Sequence, residues 1–141
     1  MTEIHDLNDW DQQVVAEFRA NRGKVGGDLT GIPLLLLTTT GAKSGQPRIK
    51  PLAYLSEGGH IYIFAGNRGA PTNPNWYHNL VTHPDVTIEL GTEKFEARAI
   101  VVESTEWDRL GKIQLQKLPG LADLQEKITR KIPAILLERK K

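Results

Sequence analysis

The stretch Leu34-Leu35-Leu36-Leu37-Thr38-Thr39-Thr40 constrains the fold more than any other part of the chain. Leucines running into threonines, bounded by Pro33 and Gly41, make an apolar run far too short to span a bilayer. The β-branched end and the Pro and Gly limits mark it as a buried strand. Further extended runs follow. Residues 48–55 form a second strand, in which Pro51 signals an edge or a bulge. Residues 60–65 form a third, with Ile61 and Ile63 on one face and Tyr62 and Phe64 on the other. Residues 86–90 and 94–102 read as a hairpin about Gly91-Thr92, and 134–138 as a last strand behind Pro133.

Between these runs the apolar period changes to that of a helix. Leu7, Trp10, Val14, Val15 and Phe18 recur at steps of three and four, giving an N-terminal amphipathic helix over about 7–22. Gly23 is its expected left-handed cap. Asn73 is expected to cap a short helix with Pro74 at its first position, ending near His83 because residues before a proline avoid helical geometry. Thr105 with Asp108 resembles a capping box for a helix toward Leu118; Pro119-Gly120 breaks it, and 121–131 carries Leu124 and Ile128 on one face. About six short strands with three or four helices, and no regular βαβ alternation, disfavour a doubly wound sheet. The expected fold is α+β, mainly β: one domain over 1–141, a small antiparallel barrel with packed helices.

Composition narrows the function. The chain has 141 residues, 39% hydrophobic and 25% charged, which suits one globular core. Its net charge of +1 gives no global attraction to nucleic acid, so an anion site must be local. With no cysteine, disulfides, zinc ribbons, Cys-ligated clusters and Cys nucleophiles are excluded. The N-terminus lacks the basic start and apolar run of a signal peptide, and the expected compartment is the cytoplasm. Trp10 and Phe18 on one helix face also admit a peripheral membrane contact or a substrate lid beside core packing.

The loop Gly41-Ala42-Lys43-Ser44 is not a phosphate-binding P-loop: Ala42 precedes the lysine, the upstream glycine is missing, and a strand follows. Lys43, Ser44, Arg48 and Lys50 nevertheless put three cations and a hydroxyl at the rim of two neighbouring strands. A Gly-rich turn there can gather backbone N–H groups into an anion nest, with Arg as a planar fork and Lys as a point charge. Residue chemistry alone leaves two readings open, an anion site and a solvated basic hairpin end. Phe64-Ala65-Gly66-Asn67-Arg68-Gly69 reads as a strand running into small residues that let a flat ligand approach, or as a plain turn. Trp76 in the short helix reads as core or as the wall of a cofactor site facing a helix N-terminus. His78 and His83 have poor spacing for a metal, and no metal site is expected. Ser44 and Ser56 lack a nucleophile elbow.

Taken together, 34–48, Asn73-Pro74-Asn75-Trp76-Tyr77-His78-Asn79-Leu80 with His83-Pro84, and Arg130-Lys131-Ile132-Pro133 resemble three signatures of the deazaflavin-dependent (F420H2-dependent) reductases, over about 8–138. The resemblance implies a split β-barrel related to FMN-binding oxidases. It implies an oxidoreductase that transfers a hydride from reduced coenzyme F420 to an enone, quinone, lactone or nitro compound. F420 is a deazaflavin with a phospholactyl-oligoglutamate tail. Positions matching Lys43, Ser44 and Arg48 hold that phosphate and its carboxylates, with Ala42, Ile49 and Lys50 alongside. Pro51 and Leu52 line the groove; Phe64, Ala65, Gly66 and Asn67 lie along the ring; Asn75, Trp76, Tyr77, His78 and Asn79 close another side.

The resemblance singles out no catalytic acid, and the proton is expected from solvent. Relatives often carry Arg where this chain has Ala42. The nitroimidazole-activating member has a Ser-Lys pair at Gly66-Asn67 and tyrosines at Leu121 and Leu124. Leu121 and Leu124 are therefore the expected substrate-binding residues, making an apolar pocket for flat conjugated carbonyl compounds. Two other readings stay in play: an FMN- or haem-binding split barrel, and a non-catalytic anion-binding module. Neither a nucleic-acid partner nor a transmembrane segment is expected, and oligomeric state is left open.

Overall fold

A computed structural model describes residues 9–27, 31–65, 72–103, 106, 109–110 and 132–140. Seven strands form one antiparallel sheet: β1 Leu34–Thr40, β2 Pro47–Ala53, β3 Leu55–Glu57, β4 His60–Phe64, β5 Asp85–Leu90, β6 Glu93–Val101 and β7 Ala134–Arg139. Two helices accompany them, α1 Asp9–Ala20 and α2 Asn75–Thr82. Glu106, Arg109 and Leu110 are also helical, whereas Leu7, the Thr105–Asp108 capping box and the helices expected to Leu118 and over 121–131 lie outside the described residues.

The strand order is β2-β1-β5-β6-β7-β4-β3. Only Tyr54 separates β2 from β3, yet they are the two outer strands. Six strand spacings in a flat sheet would separate them by about 29 Å. One residue reaches about 3.5 Å. The sheet therefore rolls until its edges meet end to end at Tyr54. They are not hydrogen-bonded side by side, and the barrel is split. This corrects the expectation of one strand over 48–55, which divides in two and brings the count among the described residues to seven. An unbroken extended run shows no sign, in its own residues, of changing partners halfway.

Side-chain alternation then sorts the core. Leu35 and Leu37, Ile63, Val86 and Ile88, Ala97 and Ala99, and Ile135 and Leu137 fill the barrel interior, where Trp76 and Leu80 of α2 join them. The intervening residues face outward. Leu34, Leu36 and Ile49 meet Val14, Val15 and Phe18 of α1. Leu55, Tyr62 and Ala134 meet Leu110. The apolar face of α1 is thus packed on the sheet, and only its Trp10 is half exposed. No helix among the described residues is long and apolar enough to cross a membrane.

Two ion pairs hold α1 in place. Arg19 grips Glu89 on β5 with two bonds of 3.0 and 2.9 Å. The Lys50 ammonium on β2 lies 2.7 Å from Asp11. The hairpin of β5 and β6 turns through Gly91 at φ 60°, the positive value that a two-residue loop requires at its first position.

Helix termini depart from expectation by one residue each. The left-handed cap of α1 is Arg22 (φ 57°), and the Gly23 N–H donates to Phe18 O at 2.8 Å in a Schellman arrangement. Gly23 is required for a different reason: at φ 92°, a Cβ would lie 2.8 Å from Gly91 Cα. On α2 the cap residue is Pro74, extended at ψ 160° with no side-chain cap bond, so Asn73 lies one position too early. The helix ends at Thr82 and His83 is extended before Pro84, as the proline dictates.

Neighbouring substitutions at the α1 cap are therefore expected to have opposite signs. Arg22→Gly relieves a left-handed side chain and should stabilise by about 0.5–1 kcal/mol. Gly23→Ala meets backbone in a strained region and should cost at least about 1 kcal/mol. Thermal unfolding of both variants beside the wild type checks the pair; a Tm that falls for Arg22→Gly contradicts it.

Candidate functional site

A cavity of about 1030 Å³ runs along β2, an outer strand of the sheet. The pairing of β1 with β2 dictates what that edge offers. Gly41 N–H donates to Gln46 O and Tyr54 N–H to Pro33 O, so hydrogen-bonded pairs join odd residues of β1 to even residues of β2. Arg48, Lys50 and Leu52 turn their backbone groups toward β1. Pro47, Ile49, Pro51 and Ala53 turn theirs outward into the cleft. The prolines have no N–H, so the outward donors are Ile49 and Ala53. Side chains alternate too: Arg48, Lys50 and Leu52 share a face with Thr39, Leu37 and Leu35, while Ile49, Pro51 and Ala53 face the α1 side.

The loop between β1 and β2 closes one end. Gly45 N–H donates to Gly41 O (2.9 Å), Gln46 N–H to Ser44 Oγ (3.2 Å) and Ala42 N–H to Asn79 Oδ1 (2.9 Å). With the Gly41 bond above, four loop N–H groups are held internally. Among the described residues, those of Lys43 and Ser44 make no bond. Gly41 leaves room for the Ser44 hydroxyl: a Cβ would stand 2.4 Å from Ser44 Oγ, so a side chain there would turn that hydroxyl away. Asn79 is the brace: it is buried on α2, and its Nδ2 donates to Thr39 Oγ1 at 3.1 Å. It fixes α2 against β1 and the loop, so its amide is engaged within the protein.

The remaining cations differ in availability. Lys43 is exposed and lines the cleft, with no ion-pair partner among the described residues. Arg48 also lines it, and its Nη1 donates to Pro47 O at 3.2 Å. Lys50 is neutralised by Asp11, whose side chain is 4% exposed and requires a counter-charge. Lys50 lines the cleft too, so the rim carries three cations, one of them with a counter-charge from α1. A lysine's long stem reaches across the strand edge to α1, which spacing along β2 does not reveal.

Of the other expected cofactor residues, Ala42, Ser44, Ile49, Pro51, Leu52, Phe64, Asn75, Trp76, His78 and Asn79 line this cleft. Ala65 and Tyr77 do not. Ala65 is fully buried with its N–H on Pro133 O, and Tyr77 packs on the barrel core. Gly66, Asn67, Leu121 and Leu124 lie outside the described residues. Asp11 and Val14 of α1, with Ile32, also line the cleft and were not foreseen; Trp10, on the helix face read as core, membrane contact or substrate lid, lines it as well. Helical period identified the face of α1, but only the packed structure brings its first turn beside β2.

The clearest pKa shifts lie elsewhere. Burial, and then the Glu106 carboxylate that accepts its O–H bond (3.3 Å), push the Tyr62 phenol above its ordinary value. The Arg109 guanidinium bonded to Glu106 holds that carboxyl below its ordinary value. These groups tie the helical residues near 106 to β4. Among the described residues no three His, Asp or Glu gather to hold a metal.

Asn79→Ala should leave the Ala42 N–H and the Thr39 hydroxyl without partners, at about 1–3 kcal/mol. Urea unfolding reads the loss, and faster hydrogen exchange at the Ala42 amide reads its cause; unchanged exchange there would contradict the brace.

Comparison with known proteins yields concordant results. A family model described as F420H(2)-dependent quinone reductase matches residues 10–139. The chain is 36% identical over 129 residues to an F420H(2)-dependent quinone reductase of Mycobacterium tuberculosis, covering 89% of this chain and 87% of that protein. It superposes on a solved F420-H2 dependent reductase, FDR-A, with TM-score 0.69 and 34% identity, over 75% of this chain and 94% of that one. The haem storage protein HutZ of Vibrio cholerae shares the fold alone, at TM-score 0.61 and 18% identity, over 93% and 91%.

Proposed function

The chain belongs to the F420H(2)-dependent quinone reductase family, and from that premise we propose that the cleft along β2 is where reduced coenzyme F420 meets its acceptor. The protein is an F420H2-dependent reductase of split-barrel fold. The observation that carries the assignment of the site is the end of the cleft at the β1–β2 loop. There two successive N–H groups, Lys43 and Ser44, are left over beside the Lys43 and Arg48 cations. That donor set fits a phosphate followed by carboxylates: charge-assisted bonds from a guanidinium and an ammonium, with backbone donors between them.

The rest of the cleft suits a flat heteroaromatic ring. Ile49 and Ala53 offer outward N–H donors, and Ile49, Pro51 and Ala53 outward carbonyls, for the polar edge of such a ring. Leu52, Phe64 and Trp76 supply apolar walls that keep water away. The uncapped N-terminus of α2, at Asn75 and Trp76, turns positive dipole toward the same space. Reduced F420, when bound, supplies the hydride. The protein's part is to seat the tail, hold the ring edge and orient an electron-poor acceptor. The proton comes from solvent, and the acceptor is a quinone or a related conjugated carbonyl compound. Leu121 and Leu124 remain part of this reading as apolar acceptor walls.

FMN carries a single short phosphate tail and gains less from a cationic end set at the tip of the loop. Fluorescence titration should therefore give tight binding of F420 and weak binding of FMN; equal affinities would overturn the assignment. Arg48→Ala should raise the F420 dissociation constant about ten- to hundred-fold, the worth of a charge-assisted bond. Turnover at saturating F420 should change far less. An unaltered dissociation constant would remove Arg48 from the site.

A further inference from the structure

The ion pair between Lys50 and Asp11 joins opposite sides of the sheet. Lys50 stands across from Leu37 of β1 and shares its face of β2 with Leu52, on the side of the barrel interior. Asp11 belongs to α1, whose Val14, Val15 and Phe18 pack with Ile49 on the other side. It lies three and four residues before Val14 and Val15, on the same buried stripe of the helix, and its side chain is 4% exposed. The Lys50 ammonium nevertheless reaches its Oδ2 at 2.7 Å. The ladder with β1 closes the inner side of β2, so the lysine stem passes around the outer edge of the strand. Its chain neighbours Ile49 and Pro51 are the residues that turn their backbone outward at that edge. Four methylenes and a charge therefore cross β2 beside the groups that would meet the polar edge of a ring.

We infer that Lys50, tied to Asp11, is a strap across the edge of β2 that parts when the cofactor binds, so that occupancy of the cleft competes with attachment of the first turn of α1. The inference rests on the cleft being the reductase site. A hydrogen bond to the strand edge needs its partner within about 3 Å of the backbone. A side chain lying over the same edge occupies that space. The strap can open without loss of the fold: the Lys50 side chain is 35% exposed and can turn into water, while Val15, Phe18 and the Arg19–Glu89 pair keep the rest of α1 docked. An internal contact that a ligand must break lowers its apparent affinity by the fraction of molecules already open. Lys50 thus opposes cofactor binding, whereas Lys43 and Arg48 favour it.

The experiment follows F420 binding to the full chain, with no acceptor present, by fluorescence titration and stopped-flow mixing. Wild type is compared with Lys50→Arg and with the double variant Asp11→Asn/Lys50→Met. The double variant removes both charges, so it leaves no buried carboxylate without a counter-charge and no change in the net attraction for an anion. It should bind F420 about five-fold more tightly, through a faster association rate, the worth of a partly exposed ion pair. Lys50→Arg keeps the pair and should stay within about two-fold of wild type. Hydrogen exchange supplies a readout that needs no substitution. Saturating F420 should speed exchange at the amides of residues 13–15 in wild type and leave residues 18–20 unchanged. In the double variant the amides of residues 13–15 should exchange fast before any cofactor is added.

Unchanged F420 affinity in the double variant overturns the inference. So does weakened affinity, which would make Lys50 a cofactor ligand like Arg48, and so does full protection of residues 13–15 in wild type with F420 bound. Failure of wild type to bind F420 at all is a separate result: it removes the reductase site, and the inference with it.

Discussion

The single-residue step at Tyr54 is the constraint on which the rest depends. It carries the chain from one outer strand of the sheet to the other, and the sheet must roll for that to be possible. Because β2 and β3 meet end to end, β2 keeps an unpaired edge. A free edge is normally a hazard for aggregation, blunted by prolines and by covering elements. Here Pro47 and Pro51 remove two outward donors, and α1 and α2 stand on either side. What remains is a cleft with one wall of strand backbone, whose outward strand donors are Ile49 and Ala53.

Electrostatics distinguishes the cations of that cleft. Lys43, Arg48 and Lys50 look equivalent along the chain, but a carboxylate as buried as Asp11 must have a counter-charge, and Lys50 supplies one. All three cations line the cleft, and one of them also ties it to α1. Arg19 with Glu89 plays the same architectural part at the other end of α1. Pinned at both ends, the helix gives the cleft a wall with a defined position.

Asn79 shows the same economy in neutral polar groups. A buried amide is tolerated only when its donor and its acceptor are both satisfied, and Thr39 and the Ala42 N–H do so. This bonding leaves the loop shaped around two donors that have no internal use. Gly41, whose missing Cβ makes room for the Ser44 hydroxyl, belongs to that shape as much as any charged residue.

The sequence by itself determined a good deal. Alternation of Ile61 and Ile63 with Tyr62 and Phe64, the apolar run into β1, the turn at Gly91 and the stop before Pro84 all express local geometry. Local geometry is encoded by neighbours in the chain, so the strands, their faces and the antiparallel class were legible. The resemblance of 34–48 and 73–84 to one reductase family carried the cofactor. Tertiary structure alone decided three things. The strand at 48–55 changes partners at Tyr54, because pairing is a long-range choice that extended residues do not record. The left-handed turn after α1 begins at Arg22, one residue before Gly23, which is also at positive φ and packs against Gly91. Lys50, which lines the cleft, pairs with Asp11, 39 residues away in sequence, because charge pairing is set by distance in space, and only folding sets that distance.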